Sequence, residues 1–154
     1  MKAGQYFALT IGIIFVLIGV AGFIPELVKP PIADPDAVNL SFVEGYGYLM
    51  GLFPINVLHN IVHLTVGLLG ILASLSLGSA RLFSGVLALF YGLLTVLGLF
   101  PPTLSMLGLV PLFGNDLWLH AGTAAIATYF GFLAKPDLLE LREQGRDEQA
   151  NPSR

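Results

Sequence analysis

Long apolar runs alternate with short polar or proline-rich stretches along this chain. The runs cover residues 6–24, 55–77, 82–100 and 117–134, and none of them contains Asp, Glu, Lys or Arg. Each is close to the roughly 20 residues a helix needs to cross a ~30 Å hydrocarbon core. Uncharged runs of this length satisfy their backbone groups in lipid as helices rather than as open strands. The pattern therefore predicts an all-α fold, a four-helix transmembrane bundle over residues 1–135. A polar cytoplasmic tail follows over 136–154, with one or two helical turns across 137–144. The first run exceeds the 7–15 apolar residues of a signal-peptide core and is read as a retained helix.

The connections differ in kind. Residues 78–81 make a very short link, which pairs the second and third helices as antiparallel neighbours. Residues 101–116 form an apolar, proline-rich loop. The longest loop, 25–54, opens with the turn chemistry of Lys29-Pro30-Pro31 and Asp34-Pro35-Asp36. It turns aromatic over 42–53, which suits either a short interfacial helix or a cap over the end of the bundle. A repeat is also visible. The first helix ends Gly22-Phe23-Ile24-Pro25 and the third ends Gly98-Leu99-Phe100-Pro101. Leu-Phe precedes Leu-His at the start of the second and fourth. This pattern is compatible with two parallel helical-hairpin repeats.

Charge and composition narrow the class. The 154 residues are 55% hydrophobic and 11% charged, far below the roughly 25% of a soluble domain. The bilayer is thus the first partner, and a homo-oligomer or a larger membrane complex the next. With a net charge of -3 and no basic cluster, nucleic acid is not one. The absence of cysteine excludes thiol catalysis, iron–sulfur clusters and zinc–thiolate sites. Basic residues set the orientation. With the N-terminus inside, Lys2, Arg81, Lys135, Arg142, Arg146 and Arg154 all lie inside and only Lys29 outside. The predicted topology is N-in, C-in.

Small residues recur on each helix: Gly12 and Gly19, Gly67 and Gly70, Gly85 with Ala88 and Gly92, Gly122 with Ala125 and Gly131. In lipid such patches permit close backbone approach. Trp118 reads as an interface anchor, and Tyr91 and Tyr129 as packing residues.

The three histidines, His59, His63 and His120, all fall inside predicted spans. His59 and His120 lie about 6 Å below their helix starts and His63 about 12 Å, in the outer half of the membrane. Asn56, His59, Asn60 and His63 share one helical face. Asn115 and Asp116 sit one turn above His120, and Glu44 is a further possible partner. Four readings follow. The first is interhelical hydrogen bonding that fixes the packing of helices two and four. The second is a transition metal held by His59, His63 and His120, with Met50 and Met106 as candidate softer ligands. In the third, His120 pairs with His59 or His63 as axial ligands to haem or a pigment. The fourth is a proton relay or quinone site; the lack of any carboxylate within the spans argues against a driven proton pump.

The stretch from Gly51 to Gly70, with its Asn56-x-x-His59-Asn60-x-x-His63 core, resembles a bacterial family of small four-helix membrane proteins classed as a domain of unknown function. Asn115-Asp116-Leu117-Trp118-Leu119-His120 resembles its second histidine segment. The resemblance covers roughly residues 4 to 135 and implies an integral protein of the plasma membrane or thylakoid. It implies no activity, substrate or cofactor. The expected function is a structural or accessory membrane component rather than an enzyme; the alternative is a metal-, haem- or pigment-binding protein.

Overall fold

The computed structural model describes residues 1–32, 34 and 36–134. The tail over 136–154 and the basic residues Lys135, Arg142, Arg146 and Arg154 lie outside the described residues. The chain is mostly helical. Among the described residues the α-helices are α1 (Ala3–Ala21), α2 (Val57–Ala73), α3 (Leu77–Leu97) and α4 (Asn115–Thr128), the last prolonged by a π-helical turn over Tyr129–Leu133. The apolar runs thus correspond to helices. α1 and α3 are long and apolar enough to cross a membrane, and α2 is shorter at 17 residues.

Two expectations need correction. The fold is not purely α. Strands β1 (Val28–Lys29), β2 (Gly47–Leu49) and β3 (Phe53–Ile55) form an antiparallel sheet in the order β1-β2-β3. Val28 pairs with Leu49, and Leu49 with Phe53, so the aromatic half of the first loop is a strand pair and not a helix. Leu49 of β2 and Ile55 of β3 are buried. The link between α2 and α3 also lies earlier than residues 78–81. Ser76 caps α3, its hydroxyl accepting from the Ser79 amide at 3.1 Å, so those residues form the first turns of α3 instead. A serine hydroxyl satisfies an otherwise orphaned amide there, which sets the start.

Glycine brings α1 and α2 together. A Cβ on Gly67 would stand 2.6 Å from the Val16 amide nitrogen and 2.7 Å from the Gly12 carbonyl. Gly12, Gly19 and Gly70 are packed as closely against the facing helix. α3 pairs with α4 and the π turn, where a Cβ on Gly131 would lie 2.6 Å from the Gly85 nitrogen. Phe15, Leu87, Ala88, Tyr91 and Ala127 form the core between the two pairs.

At one end, the Gln5 side-chain amide donates to the Ser74 carbonyl and Arg81 Nε donates to the Gly131 carbonyl. At the other end the sheet and the second loop close over the helices. Ser41 and Phe42 amides both donate to the Gly108 carbonyl.

The ends of α1 and α3 share a local geometry. Gly22 and Gly98 close their helices with φ of -66° and -68°, and the following prolines, Pro25 and Pro101, each open a single 3-10 turn. The repeated Gly-x-x-Pro segments therefore fold alike.

Polarity runs inside out. Leu17, Leu72, Leu82, Leu89, Ile126 and Leu133 are exposed on the outer faces of the helices, while Asn56, His59, Asn60, His63, Asp116 and His120 are buried. A soluble monomer rarely exposes apolar surface on this scale.

Candidate functional site

The start of α2 is fixed by Asn56. Its Oδ1 accepts from the His59 amide at 2.8 Å, the standard way to satisfy a first-turn donor. Its Nδ2 donates to the Phe42 carbonyl at 3.0 Å and the Leu109 carbonyl at 2.7 Å. One side chain thereby ties α2 to both loops. This holds the next turns of α2, and with them His59 and His63, in a set register.

α4 begins differently. Gly114, with φ 69° and ψ -137°, precedes it and supplies no side-chain cap. Asn115 donates outward to the Leu52 carbonyl at 3.2 Å. Asp116, in the first turn where a carboxylate suits the helix dipole, is instead turned into the interior.

Four chemically active side chains meet there. His59, His63, Asp116 and His120 are 4%, 7%, 2% and 3% exposed. His59 Nε2 lies 3.1 Å from His63 Nε2, a hydrogen-bond distance whichever ring donates. Asp116 Oδ2 lies 3.4 Å from His120 Nε2 and 3.7 Å from His59 Nε2. The ligand atoms of His59, Asp116 and His120 all fall within 4.8 Å of one another. Asp116 Oδ2 has no hydrogen-bond partner among the described residues. Aromatic walls hold the rings: Phe15 packs on His63 at 5.3 Å between centroids, and Tyr91 meets His120 edge-on at 4.9 Å.

The sequence-predicted residues divide. His59 stands beside both His63 and His120, with ring centroids 4.6 and 6.5 Å apart. Asp116, expected in support, stands at the centre. Asn56 and Asn60 share the buried face, but Asn56 is a cap, and the Asn60 side chain packs against Gly22. Asn115, Glu44 and Met106 take no part in the cluster. Glu44 is exposed, and its backbone carbonyl accepts from the Val57 amide. Met50 borders a cavity of about 250 Å³ that reaches from the protein surface to His59, His63 and Asp116.

A family model described as a domain of unknown function, DUF4383, matches residues 5–133. The chain belongs to the DUF4383 family. Neither a curated protein nor a solved structure matches it. The cluster of this DUF4383 protein must therefore be read from its chemistry.

Two imidazoles and a carboxylate suit divalent first-row metals. Tetrahedral ligands bound at 2.0–2.1 Å stand about 3.3 Å apart. Within the His59–Asp116–His120 triad, Asp116 Oδ2 stands 3.4 Å from His120 Nε2 and 3.7 Å from His59 Nε2, close to that value, and all three ligand atoms lie within 4.8 Å. A haem between His59 and His120 would have to pass its ring plane through the place that Asp116 occupies.

Proposed function

We propose that this DUF4383 protein is a four-helix integral membrane protein, N-in and C-in, that holds a divalent transition-metal ion near its outer face. His59, Asp116 and His120 are the ligands, with His63 as a fourth donor beside His59. The observation that carries the reading is the convergence of three buried donor atoms within 4.8 Å. Buried ionisable groups in a membrane protein are costly and normally serve a site or a pathway. The inside-out polarity of the helices supports the bilayer. Lys2 and Arg81 lie at the end of the molecule opposite Lys29, as the proposed orientation requires.

Cobalt titration of the full chain in detergent tests the metal reading. One equivalent should bind, with the intense visible bands of four-coordinate cobalt. His120→Ala and Asp116→Asn should each lower affinity at least tenfold while melting cooperatively. A folded His120→Ala variant with unchanged cobalt affinity would overturn it. A reporter fused after Arg154 should report the cytoplasm.

A second reading is a structural or accessory role, in which the cluster only locks α2 to α4. The His59–His63 contact favours it, because two neutral rings at 3.1 Å form a hydrogen bond without any ion. Loss of folding in His120→Ala, together with no cobalt bands in the wild type, would select this reading.

A further inference from the structure

We propose that the groove between α3 and the π turn holds one acyl chain of an anionic phospholipid of the cytoplasmic leaflet, with the lipid phosphate on Arg81. The proposal rests on the membrane reading and its orientation. It requires no ion and uses none of the cluster residues.

The groove has a volume of about 390 Å³. Gly78, Leu82, Val86 and Leu89 line it from one face of α3, at helical spacings of three and four. Phe132 of the π turn lines the other side. Leu82, Val86, Leu89 and Phe132 are all exposed. Glycine makes the room. Nothing lies within 4 Å of a Cβ placed on Gly78, and one placed on Gly85 would meet the Phe132 ring at 3.4 Å. From Gly78 to Leu89 the helix rises about 16 Å. One leaflet contributes about half of the ~30 Å hydrocarbon core. The groove therefore matches an acyl chain of a single leaflet in length.

Its one charge stands at one end. Arg81 is a single helical turn from Gly78, at the end of the molecule that holds Lys2. Its Nε donates to the Gly131 carbonyl at 3.2 Å, close to the end of the π turn, where a cation is favoured. That bond uses one of the five guanidinium N–H groups and leaves four on the two terminal nitrogens. Arg81 makes no ion pair among the described residues. A planar guanidinium held by one edge suits two parallel hydrogen bonds to a phosphate. An anionic lipid brings net negative charge to this cation, whereas a zwitterionic lipid brings an ammonium group with its phosphate. A second copy of the chain fits less well. Two-fold packing on this face would set two Arg81 side chains at the same depth, like charge against like.

Fluorescence quenching by brominated lipids tests the proposal. Trp118 is the single tryptophan of the chain, so a Trp118→Phe background leaves it dark. A Phe132→Trp reporter then reads the groove. Leu72→Trp, on the exposed face of α2 near the same end, is the control. The full chain is placed in phosphatidylcholine vesicles containing brominated phosphatidylglycerol or brominated phosphatidylcholine. Phosphatidylglycerol should occupy the site read by Phe132→Trp at least fivefold more tightly than phosphatidylcholine, with no preference at Leu72→Trp. Arg81→Gln should remove the preference. Gly78→Leu fills the groove beside the guanidinium without touching its hydrogen bond, and should lower the preference at least threefold. It decides the matter if Arg81→Gln fails to fold. Inorganic phosphate, which has no acyl chain, should not displace the lipid at constant ionic strength. Equal quenching of the Phe132→Trp reporter by the two lipids would overturn the proposal. So would a preference unchanged in Gly78→Leu or in folded Arg81→Gln, or one erased by inorganic phosphate. Absence of quenching at both reporters removes the membrane reading, and this proposal with it. Quenching at both without a preference removes this proposal alone.

Discussion

The two helical pairs have similar composition, yet they are built to different standards. In the α1–α2 pair, Gly12, Gly19, Gly67 and Gly70 all lie against the facing helix, and Asn56 caps α2 with one hydrogen bond and ties it to both loops with two more. In the α3–α4 pair, Gly131 presses on Gly85, while Gly92 and Gly122 face open space among the described residues. α4 starts on an uncapped Gly114, turns its first carboxylate inward, and ends in a π turn. The first pair is a scaffold. The second presents Asp116 and His120 to it, giving up local stability at the positions that supply chemistry. Natural proteins break local rules chiefly where function demands it.

Substitutions can break or sharpen this contrast. The largest effect is expected at Gly67→Val. Its side chain would meet α1 backbone, which cannot move aside without separating the helices, so a loss of about 3 kcal/mol is expected in denaturant unfolding. Asn56→Ala comes next. It removes a cap contributing about 1 kcal/mol and strands the carbonyls of Phe42 and Leu109, for a total near 2 kcal/mol. Loop proteolysis should accelerate with it, because both loops are released together. Asp116→Asn is expected to go the other way. It removes from the interior a carboxylate oxygen that makes no hydrogen bond, so the metal-free protein should be unchanged or stabilised by about 1 kcal/mol while cobalt affinity falls at least tenfold. A clear destabilisation of the metal-free protein would instead make Asp116 part of the scaffold. The smallest effect belongs to Gly122→Ala, within about 1 kcal/mol of wild type, since nothing lies where its Cβ would go. Equal sensitivity of Gly67 and Gly122 would abolish the distinction between the pairs.

The helices are legible in the sequence because an uncharged apolar run is a local signal. So is the face that carries Asn56, His59, Asn60 and His63, which follows from helical spacing. The starts of helices are less legible. Ser76 lies within a continuous apolar stretch, and only its hydroxyl on the Ser79 amide marks the boundary. The sheet escapes periodicity altogether. Its strands are two or three residues long, and Val28 finds Leu49 across an intervening loop. The central position of Asp116 is also non-local. Within its own segment it reads as a helix-mouth carboxylate, and its meeting with His59 exists only once α4 stands beside α2. Of the small residues expected to mediate packing, Gly67 does so and Gly122 does not, because composition does not say which face meets a neighbour.

Asn56 has one further consequence, which concerns biogenesis. Chains emerge N-terminal end first. When α1 and α2 have been made, the Leu109 carbonyl does not yet exist, and His59 has neither Asp116 nor His120 beside it. The nascent first pair is thus made with its polar face incomplete. Completion waits for the second loop to reach Asn56 and for α4 to arrive with its carboxylate. The buried cluster is in this sense a late checkpoint, closed only once the last helix is in place.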